Sequence, residues 1–243
     1  MRTRQRISTI ILAAALLAIA LPALAARPMP TFRALGAAPV RALAGPNGAG
    51  DPACALGVTG APAWSVGYII PGEDQYYTLL DPADCRADGE CGVSVSLAHV
   101  ILDFQYAMST PVRVGLVQAD LSDEGCAVPV PGAYVCAPVV YDLSAPDAGL
   151  FDVALPLSAG TALAGKVFLE ITFTEWGPYW DVPGLVLTAA CDPCRSYNYY
   201  PGDNYDLCTF GFDGNPVMYA DVECDNAVAE KATTWGQLKA SFR

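Results

Sequence analysis

Two adjacent stretches of alternating apolar and polar residues constrain the fold of this chain most strongly. In the first stretch every second residue is apolar, at Phe151, Val153, Leu155 and Leu157. After a connection of small residues that ends at Gly165, the pattern returns at Val167, Leu169, Ile171 and Phe173. A period of two with β-branched and aromatic side chains predicts two β-strands, each of which buries one face against a core.

Eight further runs of strand-like composition flank this pair and are separated by turn signals rich in Gly and Pro. They are residues 64–70, 75–80, 93–106, 112–120, 135–143, 184–188, 195–199 and 217–222. The run 93–106 is apolar on both faces near its centre, which predicts a long central strand with a bulge. Short runs without an amphipathic helix among them predict an all-β fold: an antiparallel two-sheet β-sandwich, jelly-roll-like, with disulfide-stapled loops.

The first 25 residues have the three parts of a secretory signal peptide. Arg2, Arg4 and Arg6 precede an uncharged apolar run, and Ala23-Leu24-Ala25 is a small-x-small cleavage site. The apolar run is shorter than a membrane span requires. We therefore predict export, a secreted, extracellular or cell-envelope location, and no membrane span in the mature chain.

The composition predicts four segments along the chain. Residues 1–25 are the signal peptide, and residues 26–50, rich in Ala, Pro and Gly, are a linker without regular structure. Residues 51–226 form the β-sandwich domain. Residues 227–243 form a C-terminal tail that ends in TTWGQLKASFR, similar to short Trp-Gly-x-x-Lys endings of exported bacterial proteins.

The mature chain is strongly acidic. The whole sequence carries 13 basic and 25 acidic residues, a net charge of −12. Three of the arginines lie in the predicted signal peptide, so the mature chain keeps 10 basic residues against 25 acidic ones. Such a chain cannot assemble the basic patch that a phosphate backbone requires, which argues against a nucleic-acid partner.

All nine cysteines lie in the predicted mature part, where export favours disulfides. Cys85 and Cys91 flank one polar loop, and Cys126 and Cys136 flank another, so each pair is expected to bond locally. Nine is an odd number, and the isolated Cys54 is our candidate for the thiol left unpaired.

The remaining cysteines, Cys191, Cys194, Cys208 and Cys224, are expected to tie together the C-terminal region in a connectivity that their spacing leaves open. Cys191 and Cys194 have CxxC spacing, but the second CxxC or the histidines of a zinc site are missing from the sequence. We therefore expect two structural disulfides from this pair to different partners.

The sequence contains no recognisable catalytic set, and we predict that the protein is not an enzyme. The one histidine, His99, lies in an apolar run without a nucleophile motif, which favours a strand histidine with satisfied hydrogen bonds. The carboxylate pairs Glu170 with Glu175 and Asp103 with Glu170 leave a carboxylate-based hydrolase as a third alternative. Exposed strand charges also explain these acids.

Two loops present aromatic residues beside carboxylates and supply our ligand-binding candidates. The first contains Trp176, Tyr179 and Trp180, and the second contains Tyr199, Tyr200 and Tyr205. Exposed Trp and Tyr rings stack on sugar rings, and neighbouring Asp and Asn bind hydroxyl groups. The alternative is that these rings close the open ends of the sandwich and pack on the disulfides.

The second loop also contains oxygen ligands of the kind that Ca²⁺ prefers. Asp203, Asn204 and Asp206 are candidates for such a site, although their spacing differs from that of an EF-hand. Asp and Asn near Gly are also the ordinary residues of turns, and we favour that interpretation. No other cofactor is predicted.

Several segments of the chain resemble a group of secreted bacterial proteins. They include PGEDQYYTLLDP and the C-terminal CRSYNYYPGDNYDLCTFGFDGNPVMYADVEC. Members of this group share a signal peptide, a "PGED-YY" segment, loop cysteine pairs and a characteristic ending. That ending matches Cys194, Tyr197, Asn198, Gly211, Phe212, Gly214, Asn215, Tyr219, Ala220, Asp221, Val222 and Cys224. The resemblance covers residues 51–224 and implies a class and a location but no activity.

These observations predict a secreted, non-catalytic binding or adhesion module. Its ligand would be an extracellular glycan, another polymer or a surface protein, bound through the loop aromatics. The alternative is a structural or assembly subunit of the cell surface, in which the N-terminal arm and the tail around Trp235 dock neighbouring molecules.

Overall fold

The computed structural model describes residues 32–36, 39–43, 54–67, 69, 72, 74–85, 92–122, 125–174, 182–200 and 202–225. These residues form fifteen strands and one 3-10 turn at Pro82–Cys85. The strands are β1 (Phe32–Ala34), β2 (Val40–Leu43), β3 (Cys54–Gly57), β4 (Trp64–Val66), β5 (Gln75–Leu80), β6 (Gly92–Phe104), β7 (Met108–Asp120), β8 (Val128–Tyr134), β9 (Val139–Ala145), β10 (Gly149–Leu163), β11 (Val167–Phe173), β12 (Gly184–Leu187), β13 (Ser196–Tyr200), β14 (Asp203–Asp206) and β15 (Met218–Asp225). No helix in this part of the chain is long and apolar enough to cross a bilayer.

The strands form two sheets that pack face to face, so the predicted all-β two-sheet sandwich is confirmed. Sheet A has the order β1-β4-β12-β6-β10-β2, and β15 pairs with both β6 and β3. Sheet B has the order β14-β13-β5-β11-β7-β8, and β9 also pairs with β7. The pairing of β2 with β10 is parallel, which the prediction did not foresee.

The alternating residues that predicted β10 and β11 face each other across the core. Phe151 and Val153 of β10, in sheet A, and Leu169 and Ile171 of β11, in sheet B, belong to one buried apolar cluster. The predicted bulge of β6 is also present, because Asp221 pairs with Leu97 and the next residue of β15 pairs with Val95. One residue of β6 between these partners is therefore left without an opposite residue.

The range 26–50 was expected to be an unstructured linker, and this expectation was wrong for seven of its residues, which form β1 and β2. Their described side chains are exposed or partly exposed. Such edge strands are held by backbone pairing and carry no alternating signal. The predicted single run 135–143 was also wrong in its first part, because residues 135–138 connect β8 to β9 and the strand begins only at Val139.

The disulfides differ from the predicted local pairs. Cys85 bonds to Cys54, and Cys126 bonds to Cys194 across 68 residues of sequence. The prediction that Cys54 is the unpaired thiol was therefore wrong, and Cys136, predicted to be bonded, is the free cysteine of the described residues. The local-pair prediction failed because sequence proximity says nothing of which loops the sandwich brings together at one end.

The CxxC prediction was correct, because Cys191 bonds to Cys208 and Cys194 bonds to Cys126. Cys91 lies outside the described residues, as does the side chain of Cys224.

The two ends of the sandwich differ in how they are held. The three disulfides of the described residues join the start of β3 and the segments that follow β5, β7, β12 and β14, and we call this the disulfide end. At the opposite end, which we call the loop end, β4, β6, β9, β11 and β13 end and β5, β7, β10, β12 and β14 begin. Among the described residues no disulfide reaches it.

Candidate functional site

Residues 32–36 and 39–43 reach the two edges of sheet A near the loop end, and we call this N-terminal segment the strap. Its first part, β1, pairs with β4 at one edge of the sheet, and its last part, β2, pairs with β10 at the other. Between them Leu35 packs on an outer-face cluster that contains Ile101, Leu150, Val186 and Val217. The strap therefore connects the two edges of sheet A.

A pocket of about 280 Å³ lies between the strap and the sheet. One wall is strap residues 33–36, and the others are residues 103–105 and 148–150, which flank the two turns of the loop end. Its volume is close to the lower limit of roughly 300 Å³ for pockets that hold drug-sized ligands.

The polar groups of the pocket are arranged around Asp103, whose side chain is 3% exposed. The Arg33 guanidinium donates a hydrogen bond to Asp103 Oδ2, and Gln105 Nε2 donates to the same oxygen at 3.2 Å. A buried carboxylate is costly without a counter-charge, which Arg33 supplies. The pocket therefore contains a charge pair with no net charge.

A second strap arginine fixes the opposite wall. Arg41 donates hydrogen bonds to Asp147 at 2.7 and 3.1 Å and to the carbonyl of Ala148 at 2.8 Å. Its guanidinium lies 4.3 Å from the ring centre of Phe151. Gly149 has a φ of 150°, and a Cβ at this position would lie 2.5 Å from Arg41 Nη2. This close fit anchors the strap against the β9–β10 turn.

One exposed aromatic residue directly follows the pocket lining in the sequence. Tyr106 follows Gln105 in the β6–β7 turn and is 43% exposed. Sequence reasoning missed this residue, together with Arg33 and Gln105, because none of them belongs to a recognisable motif. The sequence feature that could have indicated the pocket was Asp103, a charged residue at the end of an otherwise apolar run.

The three predicted tyrosines lie near the loop end but not on one surface. Tyr199 packs on the outer-face cluster of sheet B, and its hydroxyl accepts a hydrogen bond from the Gly202 N–H at 3.4 Å. Tyr200 points to the opposite face, because neighbouring residues of a strand alternate. Tyr205 pairs with Asn198 and lies 5.0 Å from Phe210.

The other three predicted aromatic residues, Trp176, Tyr179 and Trp180, lie outside the described residues. Their connection leaves β11 after Phe173 and enters β12 at Gly184, and both of these residues are at the loop end.

The predicted calcium ligands make contacts typical of a turn. The Asp206 carboxylate accepts hydrogen bonds from the N–H groups of Cys194 at 2.6 Å and Cys208 at 2.9 Å. Asn204 donates to the carbonyl of Pro129 at 2.8 Å, while the adjacent Asp203 points to the other face. Within the described ranges, no group of three His, Cys, Asp or Glu residues is close enough to hold a metal ion.

His99 has both ring nitrogens in hydrogen bonds, as the sequence predicted. Nδ1 lies 3.0 Å from Asp152 Oδ1, and Nε2 lies 3.2 Å from Asp221 Oδ2. Burial lowers the pKa of His99, but the hydrogen bonds and charges of the two carboxylates outweigh this and raise the pKa above its ordinary value. Because both nitrogens face carboxylates, neither is available to activate a nucleophile.

Asp103 and Glu170, which were considered as a pair for hydrolysis, do not meet. Asp103 lies on the outer face of sheet A with Ile101, and Glu170 lies on the outer face of sheet B with Phe168. The core separates them, and Glu175 lies outside the described residues. The alternative of a hydrolase that pairs Asp103 with Glu170 is therefore wrong.

Glu170 instead belongs to a buried polar cluster. Its Oε1 atom accepts hydrogen bonds from Arg113 Nε at 3.1 Å and Nη2 at 3.0 Å, from Tyr134 at 3.0 Å and from Thr172 at 3.1 Å. Its Oε2 atom is buried and accepts none. Burial and the charge of Glu170 raise the pKa of Tyr134 to about 12.

Comparison with known proteins identifies a structure with a similar fold. No family model matches the chain, and no curated protein matches it. The fold is similar to the crystal structure of the cysteine protease and lectin-like domains of a surface layer associated protein of Clostridium difficile, with a TM-score of 0.49 and 11% identity. The match covers 68% of this chain and 34% of that chain. At this identity and TM-score the likeness says nothing of function.

Proposed function

We propose that this protein is a secreted, non-catalytic binding module and that its loop end binds an extracellular glycan or another hydroxyl-rich polymer. The observation that carries the proposal is the pocket under the strap, which combines a buried carboxylate, a guanidinium and an amide. The exposed Tyr106 directly follows the lining residue Gln105 in the chain. Polar side chains that converge in a pocket beside apolar and aromatic surface are typical of ligand sites.

The arrangement of the covalent bonds supports this proposal. The three disulfides of the described residues hold together the segments of the disulfide end, and none of them constrains the loop end. Disulfides form in oxidising compartments outside the cytoplasm. A module that works outside the cell meets polysaccharides and surface proteins as its available partners.

The aromatic candidates belong to chain segments that leave their strands at the loop end. The connection that contains Trp176, Tyr179 and Trp180 begins and ends at the loop end, and Tyr200 precedes the β13–β14 turn there. Aromatic rings around a polar pocket would stack on further units of a polymer bound in that pocket.

A glycan array tests the proposal directly. Purified residues 26–243 are applied with and without a calcium chelator, alongside the Trp180→Ala, Tyr200→Ala and Tyr106→Ala variants. Saturable binding that weakens at least tenfold in Tyr106→Ala or Trp180→Ala supports the proposal, and chelator sensitivity would add a metal. A blank array from protein with its disulfides formed would reject glycan as the ligand class for the sugars tested.

The strap gives specific support to a second candidate, an assembly subunit of the cell surface. Its strands are the outermost of sheet A, and Val40 on one of them is 38% exposed. Edge strands pair readily with a neighbouring chain. Light scattering over a range of concentrations tests this function: reversible oligomers that disappear when residues 26–43 are deleted support it, and a monomer at all concentrations rejects it.

A further inference from the structure

We infer that the pocket under the strap holds a single uncharged sugar residue, such as the end unit of a glycan chain, and that Arg33, Asp103 and Gln105 determine this specificity. The inference rests on the proposed function and names the subsite and the ligand class within it. Three properties of the pocket lead to it: its hydrogen-bonding groups, its charge balance and its size.

The pocket keeps unused donors and acceptors. Arg33 and Gln105 both donate to Asp103 Oδ2, and Oδ1 accepts no hydrogen bond from the described residues. The Arg33 side chain is 57% exposed and uses one of its nitrogens in this pair, so further N–H groups remain for a ligand. A hydroxyl group both donates and accepts, and it therefore matches this mixture of groups.

The charge balance disfavours ionic ligands. A carboxylate in the pocket would gain from Arg33 but would lie beside the buried charge of Asp103. An ammonium group would meet the reverse conflict with Arg33. Like charges at close range repel each other, most strongly where one of them is buried, as Asp103 is. We therefore expect a neutral sugar to bind better than a uronic acid or an amino sugar of the same stereochemistry.

The size and position of the pocket favour one residue at a chain end. About 280 Å³ accommodates a single sugar ring with its hydroxyl groups. The strap closes one side of the pocket, and Arg41 holds the β9–β10 turn on the other.

Calorimetric titration with monosaccharides tests the inference. The probes are galactose, glucose, mannose and N-acetylglucosamine, together with galacturonic acid, glucuronic acid, galactosamine and glucosamine. We expect at least one neutral sugar to bind and its acidic and basic counterparts to bind at least tenfold more weakly. The same neutral sugar should compete with the glycan that the array identifies.

Substitutions in the pocket test whether the pocket, and not another part of the loop end, binds the sugar. Arg33→Gln and Gln105→Ala should each weaken binding of the neutral sugar at least tenfold; Gln105→Ala keeps the Arg33–Asp103 pair and so protects the fold. The matched control is Arg195→Gln, which removes a guanidinium paired with Asp84 at 2.9 Å at the disulfide end and should leave binding unchanged.

The outcomes distinguish the two proposals. Glycan binding that persists in folded Arg33→Gln and Gln105→Ala, without competition by monosaccharides, overturns the inference and leaves the proposed function intact. Equal affinity for neutral and charged sugars overturns the assigned ligand class. A blank array with no monosaccharide binding overturns both.

Discussion

The imidazole of His99 lies flat on the ring of Tyr219, with 4.6 Å between the ring centres and 2° between the planes. The Tyr219 hydroxyl donates to Asp152 Oδ2 at 2.8 Å, and Asp152 in turn contacts His99. These residues belong to β15, β10 and β6, so the cluster joins three neighbouring strands of sheet A.

This cluster predicts a pH-dependent contribution to stability. The pKa of His99 is raised in the folded state above the ordinary 6.5. The contribution of His99 is therefore full below pH 6.5 and is lost as the pH rises through the folded pKa. Urea unfolding of the wild type and of His99→Gln should show a stability difference that shrinks above pH 6.5. A difference that stays constant with pH would contradict this, and Asp221→Asn should reduce the effect.

The ion pair between Glu170 and Arg113 predicts a large coupling energy. Glu170→Leu leaves the Arg113 guanidinium without its partner, and breaking a buried pair typically costs about 3–5 kcal/mol. We expect about 3 kcal/mol, the lower end, because the Arg113 side chain is 29% exposed. In a double-mutant cycle measured by chemical denaturation, adding Arg113→Met to Glu170→Leu should restore part of the lost free energy of unfolding.

The control for that cycle is Lys166→Met. Lys166 lies 3.1 Å from Asp81 and is 44% exposed, so its loss should cost at most about 1 kcal/mol. Additive effects of the Glu170 and Arg113 substitutions would show that the pair contributes nothing of its own.

The connectivity of Cys126 with Cys194 predicts unequal effects of two cysteine substitutions. This bond closes a sequence separation of 68 residues, and its removal in Cys194→Ala should cost about 2–4 kcal/mol. Cys136→Ala removes no disulfide and should cost less. Peptide mapping without reduction should recover Cys126 joined to Cys194; a Cys126–Cys136 peptide would instead support the local pairing that the sequence suggested.

Gly214 lies so close to Thr188 that a methyl group cannot be added. A Cβ at this position would be 2.0 Å from the Thr188 carbonyl oxygen, which is backbone and cannot swing aside. Gly214→Ala should therefore cost about 1–3 kcal/mol by overpacking, measured by thermal or urea unfolding. Gly165→Ala is the control, because nothing lies within 4 Å of its added Cβ, and a similar loss there would refute the steric explanation.

The C-terminal segment that resembles secreted bacterial proteins has a structural reason for several of its residues. Phe212 is buried, and Asn215 binds the backbone of Asp192 through both ends of its amide, at 2.6 and 3.2 Å. Tyr219 and Asp221 hold His99. These four matched positions and Gly214, which is also matched, thus support the disulfide end and sheet A. They need no ligand to explain them.

The sequence by itself determined the parts of this protein that depend on local chemistry. A period of two defined β10 and β11, because a strand between core and solvent alternates its side chains. The apolar run around Val100 indicated the long central strand, and the lone histidine without a nucleophile indicated a structural role. Turn residues such as Asp206 were recognised for the same reason, since their hydrogen bonds lie within the segment.

Only the tertiary structure decided what depends on contacts between distant segments. The partner of Cys126 is 68 residues away. Arg33 and Asp103 form the pocket from an arm that sequence patterning described as a linker, because edge pairing leaves no periodic trace. The alternation that revealed β6 and β11 likewise could not show that Asp103 and Glu170 point away from each other on opposite sheets. Such pairings follow from how the sheets stack and which loops share an end, and residue spacing along the chain does not encode either.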